Sequence, residues 1–498
     1  MNELREIWDS RRPSSGARTN GFVTITVALL TLALTGGEAK AQVQDSTWLN
    51  DRRYREGAGW RVGDFELHPG IGADFGYDSN FFRRSGEVAD RNNDGVDELN
   101  EPVVGALRLK VSPHFSIGTL GQQRREGGPP PTLNWRLELQ GTYNEFIPVS
   151  GPERDQDNLR DQRSFGFGAN TSLDILPGRE WSGNLRAGIT RTVRPTNEGD
   201  LSATLNRLTP TAGAALVWQP GSGLLDWSLG YAFSGIFFES GDFSGINNFT
   251  NEINTRGRWR FLPRTALIFD GRFGFINYID PDGLNQKTNS TPLRARLGVN
   301  GLISESFGVL AMVGWGASFY ATQIAAGTGE VLTEDFDSVI AQAEVKYYIT
   351  PAENADPMRV RADLSSVTVG FSRDFEDSFI GTFIERNFGY VRFDYFFGGA
   401  FLLAANAQGG AVTFPPQRVV DFGAENRGGW TDARVDANLL GEYRIRDWLG
   451  VNLDVGYTGY FSGTELTNPT TAGDEGDRFI DALAYQIFRV FGGVRVFL

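Results

Sequence analysis

Apolar and polar residues alternate one by one along most of this chain, and a pattern of period two is compatible with few folds. Between 431 and 445, Ala433, Val435, Ala437, Leu439, Gly441 and Tyr443 alternate with Asp432, Arg434, Asp436, Asn438, Leu440, Glu442 and Arg444, and Leu440 is the one clear break. The next run sets Val451, Leu453, Val455, Tyr457 and Phe461 against Asn452, Asp454, Gly456 and Thr458. A helix would scatter the two sets around its circumference, whereas a strand sorts them onto two faces. Comparable runs fall at 66–78, 103–115, 132–146, 163–176, 181–193, 208–219, 224–238, 249–261 and 264–278. They continue at 292–302, 307–320, 336–349, 358–372, 383–396, 399–407, 431–445, 448–461 and 485–498. About eighteen strands, an even number, predict an all-β chain: a transmembrane antiparallel up-and-down β-barrel of the bacterial outer membrane.

The connections alternate too. After even-numbered runs most are short and rich in Pro and Gly, as at Leu176-Pro177-Gly178-Arg179, Gln219-Pro220-Gly221-Ser222 and Leu262-Pro263-Arg264. After odd-numbered runs most are long and acidic, as at 79–101, 148–161, 195–206, 322–334, 408–429 and 462–484. Short periplasmic turns and long outer loops are the habit of such barrels, which puts both termini in the periplasm. The connections at 116–131 and 350–357 depart from the rule, and 374–381 is short for an outer loop. Trp181, Trp218, Trp227, Trp259 and Trp448 lie near one set of strand ends; Phe81, Phe82, Tyr143, Phe237, Phe238, Tyr278, Tyr320 and Phe461 lie near the other. Two interfacial belts are expected from such placement. A soluble sandwich of this length would split into domains, and no linker follows residue 65; no fixed-length repeat points to a propeller.

Residues 1–41 read as a cleaved signal peptide. Arg5, Arg11, Arg12 and Arg18 precede the apolar stretch Phe22 to Leu34, and Ala39-Lys40-Ala41 supplies the small-x-small cleavage pattern. Residues 42–64 are expected to form a short periplasmic lead-in and 65–498 the barrel. No later apolar stretch approaches the ~20 residues that a transmembrane helix needs. Cysteine is absent, which excludes disulfides and thiolate chemistry. The formal charge is -14; residues 1–41 carry five basic and four acidic side chains, so the remainder carries -15. That balance argues against nucleic acid as a partner. Outer-membrane lipid and the outer-membrane assembly machinery are the expected partners. Gly493 to Leu498 resembles the C-terminal signal that this machinery reads, with Phe491 where a polar residue is usual.

The opening strand, Phe65-Glu66-Leu67-His68-Pro69-Gly70-Ile71-Gly72-Ala73-Asp74-Phe75-Gly76-Tyr77-Asp78-Ser79-Asn80-Phe81-Phe82, resembles that of the β-barrel porin-2 family, where an alternating strand runs into a similar Ser-Asn-aromatic corner. The resemblance implies a channel exporting a polar polymer, an exopolysaccharide, in partnership with a periplasmic polysaccharide-export protein. A general or specific diffusion porin for small solutes, anionic ones among them, and a plugged adhesion or structural barrel working through its loops, are the alternatives.

Little points to catalysis. The two histidines, His68 and His114, sit on neighbouring strands, and neither has a Ser or Asp constellation beside it in sequence, so an enzyme is not expected. No cofactor is required by the sequence. One loop, Asp90 to Glu101, matches the calcium-loop pattern D-x-[DN]-x-[DN]-G-x5-E, which would make Asp90, Asn92, Asp94, the Val96 carbonyl and Glu101 the oxygen ligands of Ca²⁺.

Assigning the more apolar alternate set to lipid puts Arg108, Lys110, Arg136, Arg186, Arg256, Arg258, Arg260, Arg272, Arg294, Arg296, Lys346, Arg359, Arg361, Arg392, Arg434, Arg444 and Arg495 on the lumen side. Acidic residues, among them Glu138, Asp174, Asp226, Asp270, Glu344, Asp394, Asp436, Glu442 and Asp454, share that side. The acidic excess of the chain is then expected in loops, with a pore wall that leans basic. Arg256, Arg258 and Arg260 stack three cations on one face of one strand, and rings of Arg or Lys favour anions. If the orientation is as read, protease added to intact cells cuts within 79–101, 148–161 or 462–484 and spares the Pro-Gly turns at 177–178 and 220–221. Cleavage confined to the turns would invert it.

Overall fold

A computed structural model describes residues 59–90, 95, 99–120, 132–193, 206–221, 223–239, 241–279, 287–322, 333–349, 365–378, 382–397, 401–416, 428–467 and 480–497. The signal peptide and most of the lead-in lie outside these residues. The nineteen-stranded sheet, less the short strand Trp60–Val62, leaves eighteen barrel strands. In chain order these are β1 Phe65–Asp78, β2 Ala106–Thr119, β3 Leu133–Pro148, β4 Ser164–Ile175, β5 Trp181–Thr192 and β6 Arg207–Trp218. They continue with β7 Leu225–Phe238, β8 Asn248–Leu262, β9 Thr265–Tyr278, β10 Ser290–Leu302, β11 Phe307–Tyr320 and β12 Phe336–Tyr348. The last are β13 Ser366–Asp377, β14 Phe383–Phe397, β15 Phe401–Phe414, β16 Trp430–Arg446, β17 Leu449–Phe461 and β18 Tyr485–Phe497. Each pairs antiparallel with its sequence neighbours, and β18 pairs with β1 from Asp78↔Arg489 to Gly70↔Phe497. The ring is closed, so no backbone edge faces lipid.

The outer wall carries what the alternation assigned to lipid. On β1, Phe65, Ile71 and Phe75 are exposed while Glu66, His68 and Asp74 are buried; on β16, Val435, Leu439 and Tyr443 are exposed while Asp432, Arg434 and Glu442 are buried. An apolar outer band on a closed barrel places this chain in the bacterial outer membrane. Leu440, the break in the pattern, sits buried on the inner face. Trp181, Trp227, Trp259 and Trp448 are exposed at the end of the barrel that bears the short turns. The opposite belt is thinner than expected. Tyr143 and Phe461 are exposed there, but Phe81, Phe82 and Phe238 are buried. Phe81 and Phe82 pack with Val104, Ala106, Phe146 and Leu159, so they line an interior cluster rather than an interface. Leu159 comes from a helix, α1 Glu153–Arg160, whose Asp155 holds Arg84 at 2.7 Å.

The Ser79-Asn80 corner turns out to be a clasp on the closing seam. Asn80 donates from Nδ2 to the carbonyl of Gln486 at 3.1 Å, the Ser79 N–H donates to the Phe488 carbonyl at 2.9 Å, and the Phe488 N–H donates to Ser79 Oγ at 2.8 Å. Phe491, the departure from the usual C-terminal pattern, faces inward and lies against Gly76: a Cβ there would meet Phe491 Cδ1 at 2.3 Å and the Val490 carbonyl at 2.1 Å.

One strand runs past its expected end. Of the run predicted at 358–372, residues 358–364 lie outside the described residues, and the described strand, β13 Ser366–Asp377, runs five residues further than expected. Alternation misled there because 372–377 carries charge on both phases: continued in the wall, Arg373 would point into lipid. The chain resolves this by leaving the wall. β12 and β13 stay in register from Tyr348↔Ser366 only to Ala341↔Arg373, while β13 and β14 continue together to Asp377↔Phe383. The free tip lies across the inner faces of β10–β12, with Phe375 stacked on Phe336 at 4.1 Å and seated beneath Gly316.

The seam yields a paired test. Gly76→Ala should impair closure, costing roughly 1–3 kcal/mol or more because the clash is with backbone. Gly72→Ala should be tolerated, since its nearest non-neighbour atom would lie 3.6 Å away. Loss of heat-modifiable mobility on gels in the first variant and not the second is the expected result.

Candidate functional site: a basic wall inside the barrel

Cross-strand register, which sequence alone does not give, decides which inward charges meet. Row by row, Ser228, Arg256, Asp270, Arg296 and Gly314 stand side by side on β7–β11. The next row sets Gly230, Asn254, Arg272, Arg294 and Gly316 beside one another. Arg272 and Arg294 are therefore directly opposed, like beside like, which is unfavourable unless counter-charge is near. Asp270 supplies it: Arg296 Nη2 lies 3.0 Å from Asp270 Oδ1, and Arg272 Nε lies 3.4 Å from the same oxygen. Arg294 is held by Asp374 of the inturned hairpin, Nε to Oδ1 at 3.0 Å. Arg256 stands beside Asp270 in register, is exposed, and makes no ion pair among the described residues. Three of these four guanidiniums thus pair with two carboxylates.

The run of Arg256, Arg258 and Arg260 along β8 does not act as a unit. Arg258 is bound to Asp226 of β7, and Arg260 lies at the turn end against Ala266 and a bulge. The patch that the structure assembles runs across strands, from Arg256 to Arg272, Arg294 and Arg296, because a neighbour across the ladder is closer than one two residues along.

The remaining predicted residues reach the inner face but are engaged there. Arg136 meets Glu138 at 2.8 Å, Arg434 meets Asp436 at 2.8 Å, and Arg444 and Arg495 each lie 3.6 Å from Glu442. Arg108 donates to Asn144 and lies over the rings of Phe146 and Phe491. Lys110, Lys346 and Arg392 share the inner face, in register with Asp74, Thr368 and Asn406. Arg359 and Arg361 lie outside the described residues. Arg207, inward and buried at the start of β6, was not foreseen, because the predicted run began at 208.

Water reaches one sector of this wall. On β3–β8 the inward residues Gln140, Asn170, Arg186, Thr211 and Arg256 are exposed. Their neighbours Gly168, Gly188 and Gly213 leave room for side chains to lie flat: a Cβ at Gly213 would meet Arg186 Nε at 2.7 Å. Elsewhere the loop end of the inner wall is packed. Ile384, Phe388, Val412, Phe414, Tyr460, Tyr485 and Ile487 form a buried cluster over β14–β18, and the hairpin covers β10–β12.

His68 contacts Glu66 at 3.0 Å and faces Ser116 in the ladder, a neighbour that sequence spacing hid. His114 packs against Phe497. In the calcium-patterned loop, Asn92, Asp94 and Val96 lie outside the described residues. Gly95 has positive φ and donates its N–H to Asp90, while Glu101 accepts from the backbone and hydroxyl of Ser85 at 2.9 and 2.7 Å.

No family model matches the chain, so the porin-2 resemblance gains no support, and no curated protein matches it. Among solved structures it is similar to the outer membrane protein OpdK from Pseudomonas aeruginosa, at 12% identity over 88% of this chain and 100% of that one, with a TM-score of 0.41. OccAB4 from Acinetobacter baumannii gives 11% identity, coverage of 87% and 98%, and a TM-score of 0.39. OccK7 from Pseudomonas aeruginosa gives 10%, 88% and 99%, and 0.43. At such values the likeness carries no weight of its own; the architecture rests on the strand pairing above.

Asp270→Asn removes the carboxylate shared by Arg272 and Arg296. It should destabilise the barrel by roughly 1–3 kcal/mol while strengthening anion preference. Urea unfolding in lipid and reversal potentials in planar bilayers measure the two effects, which are expected to have opposite signs.

Proposed function

We propose that this chain is an outer-membrane porin-like channel for small anionic solutes, with its loop end facing outward. The observation that supports this reading most is the cluster of Arg256, Arg272, Arg294 and Arg296 around Asp270 and Asp374. It stands next to the water-exposed sector of the inner wall. Charge-lined clefts with low-dielectric walls raise the local concentration of counter-ions by ~10-fold or more. A carboxylate or phosphate entering along β3–β8 would pass Arg186 and then reach Arg256 and Arg272, whose side chain is 37% exposed. Export of a polymer, the expectation drawn from the porin-2 resemblance, is not supported. Packed clusters and the hairpin occupy much of the inner wall at the loop end, which suits small solutes better than an extended chain.

In a planar bilayer under a salt gradient, the unmodified protein should show a reversal potential of anion sign. Arg256→Ser with Arg272→Ser should lower that preference, and Arg258→Ser, whose charge is held by Asp226, should lower it less. Cation preference in the unmodified channel would overturn the reading.

A further inference from the structure

The inturned hairpin is fastened to the wall by two kinds of contact, and they differ in what an anion could disturb. Asp377 accepts from Ser290 Oγ at 3.1 Å and from the hydroxyl of Tyr320, with the Arg294 and Lys287 cations acting on it through space. Phe375 is fully buried, stacked on Phe336 and packed with Ile340, and Phe383 meets Phe336 edge-on at 5.0 Å. The base of the hairpin is braced by Arg373, which donates to Ser338 at 2.9 Å and meets Glu385 at 3.0 Å. Phe375 and Asp377 also lie within reach of Arg294, the ring under its guanidinium and the carboxylate through space, but neither forms an ion pair with it.

Asp374 does. Its carboxylate sits on Arg294 at 3.0 Å, and the same guanidinium lies over the Phe375 ring at 4.0 Å and donates to the Phe375 carbonyl. The Asp374 side chain is 39% exposed, so water, and with it a solute, reaches the pair. Arg294 directly opposes Arg272, which borders the water-exposed sector. We propose that Asp374 is a specificity-determining residue, an internal stand-in for the permeating anion. It holds Arg294 as a solute carboxylate would, and an entering carboxylate binds to Arg272 and Arg294 only by displacing it. The aromatic anchor and Asp377 keep the hairpin seated throughout, so the exchange is one carboxylate for another on a fixed guanidinium. No bond other than hydrogen bonds is made or broken. This inference rests on the anion-channel reading, and the test separates the two.

The measurement is block of chloride current by benzoate, a monocarboxylate probe, in planar bilayers. Removing an internal competitor raises the competent fraction and lowers the apparent Kd accordingly. Asp374→Asn should therefore tighten benzoate block by roughly three-fold or more, whereas Asp377→Asn, whose carboxylate acts on Arg294 only through space, should tighten it less. Asp374→Asn in an Arg294→Gln background should have no effect, because the contested cation is gone. Since the chain has no cysteine, Ser290→Cys with Asp377→Cys offers a clean tether for the hairpin tip. The cross-linked channel should still admit and bind benzoate, and loss of block on oxidation, restored by reductant, would show that the hairpin itself must move and overturn the proposal. Should Asp374→Asn fail to assemble, Arg294→Gln alone should weaken block, and unchanged block would overturn it. An unmodified channel that prefers cations defeats the functional reading. An anion-preferring channel whose benzoate block ignores Asp374 defeats this inference alone.

Discussion

Hydrocarbon offers no hydrogen-bond partner, and every other feature of this chain is arranged around that fact. A backbone that crosses it as strands must pair on both sides all the way round, which requires closure between β1 and β18. Closure fixes which side chains face lipid, and it forces a polar inward set on a protein whose composition is no more hydrophobic than that of a soluble one. The same demand governs the seam. Asn80 and Ser79 clasp its loop end, Gly76 lets Phe491 lie against the wall, and Asp74 accepts a hydrogen bond from Asn452 two strands away.

Inside the ring the problem reverses: charges must be placed where lipid is absent but where water is only partly present. Most inward arginines are answered by a carboxylate two residues along or one strand over, as with Arg136 and Glu138 or Arg434 and Asp436. Such pairs orient side chains and leave little net field. The sector around Asp270 differs because the carboxylates run short. A surplus of guanidinium on a wall partly open to water is the form of charge that can act on a passing ion.

How much of this was legible in the sequence depends on whether one strand or several set the answer. Period two is a property of a single strand, so the faces of β16 and β17 were legible from Val435 and Leu453 alone. Leu440 broke the pattern without breaking the strand. Register belongs to pairs of strands. That is why the expected stack of Arg256, Arg258 and Arg260 gave way to a cluster whose members come from β8, β9 and β10. Two further misses had local causes. Phe81 and Phe82 sit near the loop end of the barrel but pack inward with α1, a tertiary contact no spacing reveals. The strand assigned to 358–372 runs on to Asp377, and the telling signal was the loss of a lipid-compatible phase after Phe371, where Arg373 and Asp374 follow one another.

The clasp at the seam has a consequence for how such a chain is made. The bonds that close the ring join residues 409 positions apart, as between Ser79 and Phe488. A ring whose first and last strands are partners has no stable half. Every strand up to β17 can pair with its predecessor as it arrives, yet β1 keeps an open edge until 485–497 is in hand. Long-range pairing of this kind is slow and leaves hydrogen-bonding groups unpaired meanwhile. The growing sheet therefore carries an unpaired first edge until the end. Trp60–Val62, which folds back on Phe65–Leu67, covers only the short stretch of β1 that β18 never reaches. The rest of that edge, Gly70 to Asp78, is the last backbone of the ring to find its partner.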